Sequence, residues 1–169
     1  MIDILDATAG QRGIWFDNKN SRIVYIDIRR EVKPDIVADY TCLPFTDEVF
    51  KMVLLDPPHY TYGKNSNMGK RYGVFKQTVI YESLTAASKE IARVLKPDGF
   101  LIFKWSIMRY GWIFDNVKLP KILQMLSEFN PLYAQKTGIR ARTRGDGRKW
   151  STQTYWICLE KVSPRGDTL

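Results

Sequence analysis

The 169-residue chain has few of the residues that build redox, metal or hydrolytic centres. It contains two cysteines, Cys42 and Cys158, and a single histidine, His59. The cysteines have neither metal-ligand nor redox spacing, so we expect two reduced, buried thiols and no metal site. The sequence also lacks a nucleophile elbow, which argues against a Ser-His-Asp hydrolase.

Long hydrophobic runs and a targeting segment are missing as well. The longest apolar runs, MVLL and FLIF, are far too short to cross a bilayer. The N-terminus has an acid at position 3 and continues directly into a strand-like segment, which is not the pattern of a signal peptide. We therefore expect a cytoplasmic protein without a membrane partner, folded as one domain over residues 1–169.

Acidic residues are scarce in two segments that have the composition of loops. Residues 59–76 and 136–150 together contain ten Lys or Arg and one acid, whereas the remainder contains 16 basic and 17 acidic residues. The whole excess of the +8 net charge therefore lies in these two segments. Such clustering predicts a polyanionic partner.

Short apolar, β-branched runs recur along the chain and predict a doubly wound, mostly parallel α/β sheet with helices on both faces. The runs are IDILDA, RIVYID, DIVAD, KMVLLD and GFLIFKW. A helical pattern of apolar residues runs from Ile80 to Val94, a second helix is expected at 120–129, and a short one in IWFDN, at 14–18. Alternation in the tail predicts a C-terminal antiparallel hairpin.

Four acids follow these apolar runs, namely Asp6, Asp27, Asp39 and Asp56. Each is expected at the carboxyl end of a strand, which is the edge where open α/β sheets bind ligands. A nicotinamide cofactor fits poorly, because the glycines Gly10 and Gly13 are spaced G-x-x-G and no G-x-G-x-x-G is present.

The order ILDATAGQRG, VYID, DIVAD, LPFTDEVFKMVLLDPPH and RVLKPDGFLIFKW resembles the class I S-adenosylmethionine-dependent methyltransferases. Over about residues 2–105 the chain is most similar to amino-methyltransferases with an Asp-Pro-Pro-aromatic motif, including small phage forms. The resemblance implies S-adenosyl-L-methionine as cofactor and no separate target-recognition domain. The cofactor-binding residues that it implies are Asp6, Ala7, Gly10, Gly13, Asp27 and Asp39.

The chemistry of these residues agrees with that assignment. Gly10 and Gly13 allow the backbone to approach a ligand, and Asp6 can receive the amino group of the methionine moiety. Asp27 can accept both ribose hydroxyls, and the family pattern places Asp39 at the adenine amino group. GQRG departs from the Gly-x-Gly that is frequent in the family.

The turn Asp56-Pro57-Pro58-His59 is the predicted catalytic motif. The Asp56 carboxylate and the Pro57 carbonyl can accept the N–H groups of an exocyclic amine, and the prolines fix that carbonyl. The carboxylate also stabilises the positive charge that develops on the nitrogen. His59 stands where relatives have a larger aromatic ring, and it is expected either to stack on the target base or to pack on the sheet edge.

The basic segments supply the predicted substrate contacts. Aromatic and cationic residues of 59–76 are expected to form a lid over a single strand or a flipped base, and those of 140–150 to contact phosphates. The residues are Tyr60, Tyr62, Lys64, Lys70, Arg71, Arg140, Arg142, Arg144, Arg148 and Lys149.

The sequence therefore predicts methyl transfer to a nucleobase amino group, with adenine N6 in DNA as the first choice and short or relaxed sequence specificity. An RNA amino-methyltransferase shares nearly every feature. A non-catalytic nucleic-acid-binding subunit with the same fold is the alternative from another class. A homodimer or an accessory specificity subunit is compatible with either.

Overall fold

A computed structural model describes residues 2–59, 65, 67, 75–110, 113–114, 119–143 and 149–162. The strands β1 to β8 are Ile4–Asp6, Ile23–Asp27, Ile36–Val37, Phe50–Leu55, Leu95–Tyr110, Ile113–Phe114, Phe129–Thr143 and Lys149–Lys161. The helices α1 and α2 are Gln77–Val94 and Leu119–Met125, and a short 3-10 helix covers Arg30–Val32. No helix in these ranges is long and apolar enough to span a membrane.

The strands form one sheet in the order β3-β2-β1-β4-β5-β8-β7, and β6 pairs with the end of β5. The first five strands are mutually parallel, whereas β8 runs antiparallel to both β5 and β7. This arrangement confirms the predicted doubly wound α/β sheet with a C-terminal antiparallel hairpin.

Helix α1 has the predicted apolar stripe, and all five of its residues are buried: Ile80, Leu84, Ala87, Ile91 and Val94. The stripe joins a core cluster that contains Leu5, Leu55 and Leu101 of the sheet and Ile122 of α2. Helix α2 ends at Met125 rather than at 129. Leu126 and Phe129 are buried, but they are joined by consecutive turns that lead into β7.

The short helix predicted at 14–18 is absent, and residues 7–22 form a series of turns. Positive φ angles at Gly10 and Arg12 (52° and 57°) interrupt any helix that starts after β1. The Arg12 guanidinium lies over the Tyr25 ring, 4.0 Å from its centroid, and pairs with Asp35. These contacts hold the turns against β2, where Trp15 packs on a second, small apolar cluster.

The prediction of two buried thiols is wrong, because neither side chain is fully buried. Both cysteines are free, but Cys42 is exposed and Cys158 is only partly covered. Cys42 lies in the turn after β3, where its backbone N–H is bonded to the Asp39 carbonyl.

Three strands continue past the end of β4 and form an arm, which consists of residues 104–110 of β5, 149–156 of β8 and 135–143 of β7. The last residue of β4, Leu55, is paired with Phe103, and β5 continues through residues 104–110. Seven residues of strand correspond to roughly 23 Å. Because β5 is parallel to β4, the arm extends from the edge at which the parallel strands end.

Candidate functional site

The carboxyl ends of three adjacent strands bring Asp6, Asp27 and Asp56 to one edge of the sheet. Asp6 and Asp27 are the last residues of β1 and β2, and Asp56 follows β4 directly. Strand β1 lies between the other two. Asp39 follows β3, the outer neighbour of β2. The four acids therefore share the edge that their positions after apolar runs predicted.

Asp6 is a buried acid that is held by neutral donors. The Trp15 indole N–H donates to Oδ2 at 2.7 Å, and the Thr8 backbone N–H donates to Oδ1 at 3.1 Å. The pKa of Asp6 is raised to about 6. Burial is the main cause, the nearby charges of Asp56 and Asp27 add to it, and the two hydrogen bonds lower the pKa by less. No cation of the described residues pairs with it, so Asp6 is suited to receive a positive group from a ligand.

Asp27, in contrast, is saturated by donors from its own chain. The Gly10 backbone N–H and Arg29 Nη2 donate to Oδ2, while the Arg29 backbone N–H and Nε donate to Oδ1, all at 2.9–3.0 Å. Burial alone would raise the pKa of Asp27, but the hydrogen bonds from Arg29 and Gly10 outweigh burial and lower it. A further donor can reach this carboxylate only by taking the place of one of these contacts.

The turn that follows β1 shows why a glycine stands at position 10. Gly10 has a φ of +52°, and a Cβ built on it would lie 3.5 Å from Arg29 Nη2. Gly13 has no such requirement, because its Cβ would meet no atom within 4 Å. Ala7 is buried, and its backbone N–H donates to the Leu54 carbonyl, which joins the turn to β4.

Asp39 is fixed within its own turn. Its Oδ1 accepts hydrogen bonds from the Thr41 backbone N–H and hydroxyl, both at 2.8 Å. Both bonds go to Oδ1, and among the described residues no donor contacts Oδ2 of Asp39.

The Asp56-Pro57-Pro58 turn is anchored by both neighbouring strands. The Asp56 backbone N–H donates to the Thr8 hydroxyl at 2.7 Å, which ties it to the turn after β1. Its Oδ2 accepts from Lys104 Nζ of β5 at 2.5 Å, and the two side chains are 20% and 23% exposed. The carboxylate is therefore held in place by a lysine and remains accessible from the edge of the sheet.

His59 occupies the packing position rather than a stacking position. Only 9% of the residue is exposed. Its Nδ1 lies 2.9 Å from the Pro57 carbonyl oxygen, and the centroid of its ring lies 5.1 Å from that of Trp105. The ring is thus turned toward the sheet and the preceding carbonyl. This favours the second of the two roles predicted for His59.

Three residues that were not predicted from the sequence each contact one of the edge acids, namely Lys104, Trp15 and Arg29. For Lys104 a signal was present. A lysine within the run FLIFKW is unusual in a buried parallel strand, and its place after FLIF puts it at the same edge as the acid that follows β4. Trp15 and Arg29 carry no comparable signal.

Most of the predicted substrate contacts lie outside the described residues. These are Tyr60, Tyr62, Lys64, Lys70, Arg71, Arg144 and Arg148. The backbones of Arg140 and Arg142 belong to β7 and that of Lys149 to β8, so these three are strand residues near the end of the arm rather than loop residues. By sequence, residues 104–110 and 136–150 carry eight Lys or Arg and one acid.

The sequence matches no family model and no curated protein. Its structure is similar to that of a SAM-dependent methyltransferase from Methanosarcina mazei, with a TM-score of 0.58, 15% identity, and coverage of 96% of this chain and 93% of that one. It is also similar to geranyl diphosphate C-methyltransferase from Streptomyces coelicolor A3(2), with a TM-score of 0.54, 13% identity, and coverage of 96% and 71%.

A third similar structure is TrmN from Thermus thermophilus, with a TM-score of 0.53, 17% identity, and coverage of 95% of this chain and 44% of that one. At these identities the similarity establishes a shared fold. The chain therefore has the fold of S-adenosylmethionine-dependent methyltransferases, with its acids at the edge described above.

Proposed function

We propose that the protein transfers a methyl group from S-adenosyl-L-methionine to an exocyclic amino group of a nucleobase, with adenine N6 in DNA as the first candidate. The observation that carries the proposal is the meeting of Asp6, Asp27 and the Asp56 turn on three adjacent strands. Two acids suited to a cofactor thus stand beside an acceptor turn suited to an amine.

The hydrogen-bond partners of the edge acids suggest which part of the cofactor each acid would bind. Asp6 is buried with neutral donors only, so the ammonium of the methionine moiety would neutralise it. Asp27 would hold the ribose hydroxyls after exchange with Arg29, and Asp39 would hold the adenine amino group. When bound, the cofactor supplies an electrophilic methyl group, whose transfer forms a nitrogen–carbon bond, leaves the carbon–sulfur electron pair on sulfur and releases one amine proton to water.

The acceptor site is formed by Asp56 and the Pro57 carbonyl. The carboxylate would accept one N–H of the target amine and stabilise the positive charge that develops on the nitrogen. The Pro57 carbonyl has two lone pairs, so the contact with His59 leaves it able to accept the second N–H. His59 would hold this carbonyl in position.

The basic arm supports a nucleic acid as substrate. It extends from the edge that carries the acids, and its sequence is strongly basic. Lys and Arg contacts to phosphates position a strand without reading its sequence, which agrees with short or relaxed specificity. DNA and RNA present the same backbone charge, so an RNA amino-methyltransferase is the second candidate, and a partner subunit is one source of any stricter specificity.

The Asp56→Asn variant tests the acceptor role. It keeps the size and one acceptor oxygen but loses the charge, so we expect turnover to fall by on the order of a hundred- to a thousandfold. Cofactor affinity, measured by titration calorimetry on the same preparation, should change much less. Near-normal turnover in Asp56→Asn would mean that the Asp-Pro-Pro turn only ends the strand. A wild type that binds the cofactor but transfers no methyl group would favour the non-catalytic alternative.

A further inference from the structure

We infer that Lys104 determines the specificity for the target base by donating a hydrogen bond to the ring nitrogen next to the methylated amine. The inference rests on the proposed function, because it concerns the same acceptor site. It selects a class of substrate, namely bases whose amino group adjoins a ring acceptor on the Watson–Crick edge.

Strand register brings Lys104 to the acceptor carboxylate. Leu55 is paired with Phe103, so the next residue on each parallel strand, Asp56 and Lys104, lies at the same height on the edge. The Lys104 ammonium is 2.5 Å from Asp56 Oδ2 and 5.5 Å from the centroid of the Trp156 ring on β8. The aromatic ring and the carboxylate together hold the ammonium beside the site.

The contact leaves both groups with capacity for a ligand. An ammonium has three N–H donors and a carboxylate has about four lone-pair sites, and both side chains are partly exposed, at 23% and 20%. Lys104 and Asp56 therefore present a donor and an acceptor side by side. A base with an amine donor next to a ring acceptor is the complementary partner.

Adenine and cytosine have this pattern on the Watson–Crick edge, whereas the guanine amine has its ring acceptor, N3, on the sugar-facing side. On the Watson–Crick edge, adenine N6 adjoins the N1 acceptor and cytosine N4 adjoins the N3 acceptor. The guanine amine adjoins N1–H, a donor that would face the ammonium and leave both groups without an acceptor. Enzymes that extrude a base read it through this edge, so Lys104 admits adenine or cytosine and disfavours guanine.

Single-stranded oligonucleotides with one modified target test the contact directly. One carries 1-deazaadenine, in which CH replaces the N1 acceptor, and a control carries 7-deazaadenine, which alters the opposite edge. Transfer and binding are measured for the wild type, Lys104→Met and Lys104→Arg, at a salt concentration that suppresses backbone binding. Lys161→Met is the matched protein control, because Lys161 lies at the far end of β8 and contacts the Leu95 carbonyl.

We expect the wild type and Lys161→Met to lose about ten- to a hundredfold in kcat/KM on 1-deazaadenine relative to adenine, and little on 7-deazaadenine. Lys104→Met should treat adenine and 1-deazaadenine alike, while Lys104→Arg, which keeps a donor, should retain part of the preference. Binding in the presence of the demethylated cofactor gives the same comparison if a variant is inactive.

Equal use of both bases by the wild type would overturn the inference, as would an undiminished preference in Lys104→Met or a loss confined to 7-deazaadenine. Each of these outcomes leaves methyl transfer to adenine intact and so differs from a failure of the proposed function. If the proposed function itself failed, the wild type would methylate no unmodified nucleobase, and the inference about Lys104 would fail with it.

Discussion

Asp6 gives the prediction that follows most directly from the geometry, and the perturbation is Asp6→Asn. The residue is 1% exposed and its pKa is raised from 3.8 to about 6, chiefly by burial. At about 1.36 kcal/mol for each pKa unit, ionised Asp6 destabilises the folded protein by about 3 kcal/mol at neutral pH. The protein keeps a buried charge that lowers its own stability.

The sign of the pH dependence follows from the same pKa. Because the folded state holds this proton more tightly than the unfolded chain, stability from Asp6 is present below pH 3.8 and is lost as the pH rises to about 6. Asn at this position does not titrate. The difference in unfolding free energy between Asp6→Asn and the wild type should therefore rise by about 2–3 kcal/mol between pH 4 and pH 7.

Urea denaturation followed by circular dichroism, at several pH values, measures this difference. The hydrogen bond that Asn fails to make with Trp15 or Thr8 lowers stability by an amount that does not vary with pH, so it cancels from the comparison. Asp98→Asn, at an exposed site, shows what removal of a surface carboxylate does. If the stabilities of Asp6→Asn and the wild type stay parallel across this pH range, the pKa of Asp6 is not raised in the folded protein.

Three further predictions concern binding. The affinity for S-adenosylmethionine should fall as the pH falls below about 6, because protonated Asp6 no longer attracts an ammonium, and calorimetry at pH 5 and pH 7.5 would show no change if Asp6 were not involved. Asp27→Asn should weaken cofactor binding by about tenfold, since ribose contacts replace those to Arg29, and unchanged affinity would place the ribose elsewhere. Reversing Arg142 and Arg144 to Glu should weaken binding of all nucleic-acid sequences about equally and flatten a log–log salt slope of roughly −3 to −4, whereas a sequence-selective loss would mean that these two residues read bases.

The edge acids could be predicted from sequence because strand ends are marked locally. An apolar run followed by Asp fixes both the strand and the end at which the acid lies, and parallel pairing brings all such ends together. The helix α1 was predictable for a similar reason, since a stripe of five buried residues over four turns leaves little alternative.

The segment between β1 and β2 was not predictable in this way. A helix of two turns is only marginally stable in isolation, so contacts with other parts of the chain determine whether it forms. Here Arg12 packs on Tyr25 and Trp15 donates to Asp6, and both contacts require turns instead of a helix. The pairing of Lys104 with Asp56 depends on strand order and register across 48 residues, which local patterns do not specify.

We propose above that this edge of the sheet transfers a methyl group to a nucleobase amine. The measurement that tests it most directly is incubation of the protein with methyl-labelled S-adenosylmethionine and separate DNA and RNA pools, followed by digestion and mass spectrometry of the nucleosides. We expect label in N6-methyladenine from DNA, and its loss in Asp56→Asn. Label in no nucleoside of either pool, from a wild type shown to bind the cofactor, would contradict it.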